Sequence, residues 1–269
     1  MVKLFLLCVF CLLCLNAKEI TNGTVSILEF DTNSTKALYK DGTSIPLLAH
    51  PTNPQKRIAL IAASYRHSKD IELLHVSTNG TKKIILSLQK GDYKQEQLSV
   101  EPSKVSPPKE ALARIQAESK EANALYATAS PKRLWSSFFE PPLQSMITSA
   151  YGNARVFNNS LQSYHSGVDF RAAIGTPIYA SNDGVVVLSK DRYYAGNSVV
   201  LDHGEGIYSV YYHLSERGLN VGDFVKKGEK IGLSGVSGRV TGPHLHFGFM
   251  VQGSPVDPYD FMYKIAQLF

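Results

Sequence analysis

Short apolar runs separated by turn-forming pairs fill the first part of the chain. Residues 71–78 and 81–88 flank Asn79-Gly80, the dipeptide and the flanks that predict a tight β-hairpin. Asp41-Gly42, between Leu38-Tyr39-Lys40 and Thr43-Ser44-Ile45, predicts a second. A series of such hairpins over residues 18–100 predicts a small β-sandwich of immunoglobulin-like shape, with a topology that periodicity leaves open. The pattern changes at Glu101-Pro102-Ser103-Lys104-Val105-Ser106-Pro107-Pro108, which is too rich in proline for a strand and reads as a linker. Ser106 is placed to cap a following helix, and residues 109–126 are rich in Ala, Glu, Lys, Leu and Gln. Leu112, Ile115, Ala122 and Leu125 give that helix a thin apolar stripe, so it is expected to lie over one of the domains. A second break at Pro141-Pro142 precedes a return to β patterning over 146–258, with β-branched and aromatic runs at 184–188, 198–201 and 207–212. The expectation is a mainly β chain: an N-terminal small β-sandwich-like domain (18–100), a proline-rich linker and helix (101–130), and a C-terminal antiparallel β domain (131–269).

Composition adjusts this picture at the N-terminus. Lys3, the apolar run over residues 4–15 and the small Ala17 read as a secretory signal peptide cleaved after Ala17. The run is short for a membrane span, and no stable membrane insertion is expected after cleavage. Cys8, Cys11 and Cys14 are the three cysteines of the chain, and all lie in that segment. The mature chain then has neither disulfides nor a thiolate metal site. None of the three is preceded by the small residues that lipoprotein processing prefers, which argues against a lipid anchor. Removing Lys3 lowers the formal charge from +5 to +4, with 27 basic residues against 23 acidic ones, too mild to demand nucleic acid as a partner. No Gly-rich phosphate loop is present.

The candidate chemistry sits in two pieces, His165-Ser166-Gly167-Val168-Asp169 and Gly242-Pro243-His244-Leu245-His246-Phe247-Gly248. His244 and His246 precede Phe247, Phe249 and Val251, so they read as one strand with both imidazoles on one face. Gly167 and β-branched Val168 argue against a helical turn between His165 and Asp169 and favour a loop entering a strand. Histidine nitrogens and a carboxylate suit zinc, and the two pieces offer more such side chains than zinc needs. A site with three protein ligands leaves a position open for water, which is the arrangement of a catalytic metal.

Five ordered segments carry a resemblance: Tyr151-Gly152-Asn153-Ala154-Arg155, His165-Ser166-Gly167-Val168-Asp169-Phe170, Gly175-Thr176-Pro177-Ile178-Tyr179-Ala180, Tyr211-Tyr212-His213-Leu214-Ser215 and Gly242-Pro243-His244-Leu245-His246-Phe247. Over residues 147–258 the chain resembles the lysostaphin-type zinc metallopeptidases, which cut peptide cross-links in peptidoglycan. The resemblance implies Zn2+ held by His165, Asp169 and His246, with His213 and His244 as the catalytic histidines. It also implies peptidoglycan as the partner. A signal peptide without recognisable wall-binding repeats points to the periplasm or cell envelope of a Gram-negative cell, and so to the bond between D-alanine and diaminopimelate, with trimming of stem peptides as a further activity. The alternative is a non-catalytic envelope regulator that activates other wall hydrolases; the complete ligand set favours the enzyme.

Other residues divide by role. Arg155 is a candidate carboxylate binder, with a structural salt bridge as its plain alternative. Tyr179 and Tyr211 are candidate donors to a developing oxyanion, with packing as theirs. Asn158 and Asn159 stand where some relatives place a tyrosine. His203 reads as a packed or surface residue, and His50, His67 and His75 lie outside every motif. Residues 221–232 resemble the turn of lipoyl- and biotin-carrier domains without a lysine in the carrier setting. Asn33, in Asp31-Thr32-Asn33-Ser34-Thr35, fits an acidic-extended glycosylation acceptor pattern. The N-terminal domain is expected to cover the groove or to orient it toward the wall. Nothing in the sequence indicates an oligomeric state.

Overall fold

The computed structural model describes residues 18–269. The signal segment, with its three cysteines, lies outside the described residues. The N-terminal part contains β1 (Lys18–Thr21), β2 (Val25–Asp31), β3 (Ser34–Tyr39), β4 (Ser44–Ile45), β5 (Leu48–Ala49), β6 (Lys56–Ala62), β7 (Ile71–Ser77), β8 (Gly80–Gln89) and β9 (Gln95–Leu98). Both expected hairpins form: Ser77 pairs with Gly80 across one turn, and Leu38 with Ser44 across the other. A five-stranded sheet in the order β1-β8-β7-β3-β4 faces a three-stranded sheet in the order β2-β6-β5.

The short sheet is a middle layer. Along β6, Ala59 and Ile61 pack toward the five-stranded sheet with Leu28, Leu73 and Leu86, while Ile58 and Leu60 point the other way into the core of the C-terminal domain. A strand buried on both faces reads as a continuous apolar run. That explains Ile58-Ala59-Leu60-Ile61-Ala62 and joins the two regions through one shared core.

The linker helix forms where expected, as α1 (Lys109–Ala127), but Pro108 stands at its N-cap and no side chain caps it, so Ser106 does not take that role. Leu112 is exposed; the residues that helix α1 buries are Ala122 and the carboxylate-bearing Glu118. Glu118 accepts hydrogen bonds from Arg114 and from the Tyr193 N–H, which fastens the helix to the C-terminal domain.

That domain contains β10 (Ile147–Ser149), β11 (Ala154–Phe157), β12 (Leu161–Tyr164), β13 (Val168–Arg171), β14 (Pro177–Tyr179), β15 (Gly184–Arg192), β16 (Gly196–Asp202), β17 (Ile207–Arg217), β18 (Phe224–Val225), β19 (Lys230–Ser234), β20 (His244–Val251) and β21 (Ser254–Val256), closed by α2 (Pro258–Ala266). Its main path runs β10-β13-β20-β17-β16-β15-β18, antiparallel throughout. Leu245, Phe247, Phe249 and Val251 of β20 fill one side with Tyr211, Phe261 and Ile265. Each such buried Phe or Leu contributes roughly 1.5–3 kcal/mol, so this face fixes which side of β20 remains for chemistry. Helix α2 was not anticipated, although Asp257 accepts from the Tyr259 and Asp260 N–H groups and Pro258 follows it, a regular helix start. Its Asp260 and Lys264 bind the Val25 N–H and carbonyl, tying the helix to β2.

One strand of the N-terminal region pairs with the C-terminal one. Strand β9 leaves the sandwich and pairs in parallel with β11, which pairs in turn with β12. The N-terminal region therefore supplies an edge strand to the C-terminal one.

Candidate metal centre

Strands β13 and β20 pair directly, with Asp169 opposite His246 and Arg171 opposite His244. With Phe247 and Leu245 committed to the core, the period of two puts His244, His246 and Asp169 on the other face. His165 enters from the turn before β13. A Cβ on Gly167 would stand 2.2 Å from the Phe247 carbonyl oxygen and 2.9 Å from the His246 ring, so only glycine lets this turn pass close enough.

The three donors meet at equal spacing. His165 Nε2, Asp169 Oδ1 and His246 Nδ1 are 2.9 Å apart in every pair. Donors around a tetrahedral zinc with bonds of 2.0–2.1 Å stand about 3.3 Å apart, so the observed triangle is slightly tighter than a loaded one. Their exposures of 2%, 6% and 5% remove all three from bulk water. Proton placement supports a cation here. His165 Nδ1 lies 2.8 Å from the Ala150 carbonyl, a pure acceptor, so the neutral ring carries its proton there. Nε2 then turns its lone pair toward Asp169 Oδ1, and two buried acceptors face each other without a shared proton. A positive ion resolves that conflict, and two imidazoles with one carboxylate are the donor types zinc takes.

Electrostatics favour the ligand states. Burial lowers His246 to about 4, keeping its ring neutral. Burial acts to raise Asp169, but the adjoining His165 and His246 outweigh it and hold the carboxyl well below its usual range. A charged carboxylate beside a neutral imidazole needs little proton release to take a metal.

His213 and His244 flank the triangle. His244 donates from Nδ1 to the Gly242 carbonyl at 2.8 Å, which places Nε2 3.8 Å from Asp169 Oδ1. His213 donates from Nδ1 to the Ser237 carbonyl at 2.8 Å, and its ring centroid lies 4.8 Å from that of His244. A bulge brings it there: Val199 pairs with Tyr211 but Asn197 pairs with Leu214, so Tyr212 and His213 together face one residue. His213 has φ of 64°, a conformation a non-glycine residue holds only when its surroundings impose it. Its N–H is fixed by the Ala195 carbonyl at 2.9 Å. Burial, then His244 and His246, push its pKa well below the ordinary histidine value.

These groups open onto a cleft of about 290 Å³ lined by Asp169, His213 and His244, with Arg239 on the loop before β20 and with Glu96 and Leu98 of β9. The structure does not bring the other expected residues to it as donors. Tyr211 is fully buried on the core side of β17, its oxygen accepting from the Ser181 N–H and Ser209 Oγ. Tyr179 is exposed on β14, and its side chain does not line this cleft. Arg155 does line it, but its guanidinium is held by Asp169 Oδ2, Ser149 Oγ and Glu96. His203 is buried between the Asp183 carbonyl and Ser209 Oγ. His50 accepts from the Thr52 and Asn53 N–H groups in an exposed turn, and His75 bonds Ser34 inside the sandwich.

Sequence reading missed Tyr212, Ser149 and Glu96. The Tyr212 ring stacks on His246, with centroids 5.2 Å apart and planes within 7°. Its neighbour Tyr211 gave no contrast, because β17 is buried on both faces near this point and alternation there is silent. Ser149 and Glu96 belong to short strands whose pairing with the site is long-range.

Comparison with known proteins agrees with this geometry. Residues 163–258 match the description "Peptidase family M23". Peptidoglycan DD-endopeptidase ShyA of Vibrio cholerae is 52% identical over 93 residues, 35% of this chain and 22% of ShyA. DD-carboxypeptidase/endopeptidase Mpg of Neisseria meningitidis is 38% identical over 119 residues, 44% of this chain and 27% of Mpg. The chain thus spans only about a quarter of the length of these curated relatives. A crystal structure of a putative peptidase M23 from Pseudomonas aeruginosa superposes with a TM-score of 0.70 at 25% identity, covering 90% of this chain and 94% of the other.

Proposed function

We propose that this chain is a zinc-dependent endopeptidase of the cell envelope that cleaves peptide cross-links of peptidoglycan between D-alanine and diaminopimelate, and that it also trims stem peptides. The observation that carries the reading is the buried His165-Asp169-His246 triangle with two imidazoles anchored through Nδ1 at its open edge. The activities for which ShyA and Mpg are named support the substrate class. The signal-like segment supports the address, and among the described residues no helix is long and apolar enough to cross a membrane.

His165 Nε2, Asp169 Oδ1 and His246 Nδ1 would hold the zinc, which when bound supplies Lewis acidity toward a carbonyl and toward water. The remaining work falls to the protein. His213 and His244 each anchor Nδ1–H on a backbone carbonyl, so each presents a basic Nε2 to the cleft. One imidazole takes a proton from the attacking water and returns it to the departing amine; the other stabilises charge that develops on the peptide. The low pKa of His213 keeps it neutral, and so able to accept a proton, at neutral pH. Tyr212 prevents the His246 ring from turning by stacking on it.

The test is digestion of cross-linked muropeptide dimers by the zinc-loaded chain, with products identified by mass. Monomers cut at the D-alanine to diaminopimelate bond are expected. Intact dimers beside cleaved pentaglycine bridges would overturn the assignment of the bond, and no cleavage of either would return the non-catalytic regulator.

A further inference from the structure

Glu96 lies well outside residues 163–258, yet its carboxylate ends beside the metal ligands. Strand β9 brings it there by pairing with β11, placing Glu96 opposite Arg155. Oε1 accepts from Asn153 Nδ2 at 2.7 Å and from Ser149 Oγ at 2.9 Å, and Oε2 accepts from Arg155 Nε at 3.3 Å. Arg155 donates onward to Asp169 Oδ2 and, at 2.9 Å, to Ser149 Oγ. Ser149 Oγ also lies 3.1 Å from His165 Nδ1. The protons balance: the serine gives its single proton to Glu96, accepts from Arg155, and shares the His165 Nδ1–H with the nearer Ala150 carbonyl. Glu96 is therefore two bonds from Asp169 by one route and two from His165 by another.

Charge makes the contact more than geometric. Arg155 and Glu96 are 16% and 20% exposed, so their pairing is only partly screened. Without Glu96, Arg155 would have Asp169 as its sole carboxylate and would draw electron density from the oxygen pair that must serve the metal. With Glu96, the arginine is shared and Asp169 retains donor strength.

We propose that Glu96 is a positioning residue of the metal centre, orienting Asp169 through Arg155 and His165 through Ser149, so that the centre reaches full metal affinity only with β9 docked on β11. This rests on the assignment of His165, Asp169 and His246 as ligands. The N-terminal region then completes the site as well as lining the cleft beside it.

The experiment measures zinc affinity of the full chain by competition with a chelator, together with the visible spectrum of the cobalt(II)-loaded chain and the melting temperature. Glu96→Ala is expected to weaken zinc binding about 10- to 100-fold and to alter the cobalt spectrum, the usual scale for groups that orient a ligand. Glu96→Gln keeps acceptor and shape without charge and is expected to recover part of the loss while melting like wild type. Gln97→Ala, on the exposed side of the same strand, should leave affinity and spectrum unchanged. Wild-type affinity in both Glu96 variants, beside lost affinity in His246→Ala, would overturn the proposal alone. Zinc binding insensitive to His246→Ala would remove the ligand assignment and the proposal with it.

Discussion

The N-terminal sandwich has a cavity of about 750 Å³ lined by His75, Asp31, Asp70 and four lysines, whereas the cleft over β13 and β20 encloses about 290 Å³. The roomier cavity holds histidine and carboxylates, yet gathers no donor set. Asp31 is paired with Lys56 at 2.8 Å, and the His75 ring bonds Ser34 and stacks on Phe30. In the smaller cleft, Asp169 and His246 are direct neighbours across two paired strands, and their opposite faces are locked into the core. Convergence comes from register held by burial, and volume contributes little to it. Among the described residues, His165, Asp169 and His246 are the group whose ligand atoms converge.

The sharpest way to break this contrast is to remove one corner of the triangle. His246→Ala is expected to lose zinc and cleavage together, because a two-donor site cannot hold the ion against water. A bound metal supplies several kcal/mol to the transition state, so turnover should fall by on the order of 1,000-fold or more. Metal analysis beside the dimer-cleavage assay checks both. Zinc retained at wild-type stoichiometry would mean that the ligand and its neighbour His244 are exchanged.

The flanking histidines sharpen the contrast within the cleft. His213→Ala and His244→Ala are expected to keep zinc near wild type and to lower turnover about 100- to 10,000-fold, the range for loss of a positioned proton-transfer group. The comparison of metal content with rate separates them from the triangle. Full activity in His213→Ala would remove that residue from the chemistry.

His203 belongs to the same domain but to its core, and pH should distinguish it. Its pKa is lowered by burial to about 4, from the ordinary 6.5. The folded value lies below the unfolded one, so the stability linked to this group is complete above about pH 6.5 and is lost as pH falls toward about 4. Between about pH 7.5 and about pH 5 the group alone should cost about 2 kcal/mol. Denaturant melts of metal-free protein at the two pH values, for wild type and His203→Gln, read this as a difference in pH dependence. Equal losses in both would show that His203 is not held neutral by the fold.

What could be read from the sequence follows the same physical division. The row His244, His246 against Leu245, Phe247 and Phe249 was legible because only one face of β20 is apolar near the site, and Gly167 with Val168 spoke against a helical turn before Asp169. The hairpins at Asn79-Gly80 and Asp41-Gly42 were legible because their turn chemistry is local. The sequence does not separate Tyr211 from Tyr212, because a bulge and burial on both faces erase the alternation in β17. The continuous run from Ile58 to Ala62 gave strand but not layer, since its meaning depends on the C-terminal core lying behind it. Glu96 carried no local signal at all: its role arises from a parallel pairing with a strand about sixty residues later in the chain. Chemistry fixed by one or two neighbouring strands is written locally, whereas the groups that orient it are written in tertiary pairing.

The weakest expected effect on the chemistry lies in the sandwich, and it tests the comparison from its other side. His75 Nε2 is 2.7 Å from Ser34 Oγ, and its ring lies 4.4 Å from that of Phe30 with planes 26° apart. Burial and Lys82 lower its pKa, as a packed neutral ring requires. Both features are structural, and among the described residues no set of donor atoms converges on this ring. His75→Ala should therefore leave zinc stoichiometry and cross-link cleavage at wild-type values. It should cost about 1 kcal/mol of stability through the lost hydrogen bond to buried Ser34, seen as a lower denaturation midpoint. A fall in metal content in this variant would show that the cavity of the sandwich is a second metal site, and that register in the C-terminal sheet is not what separates the two regions.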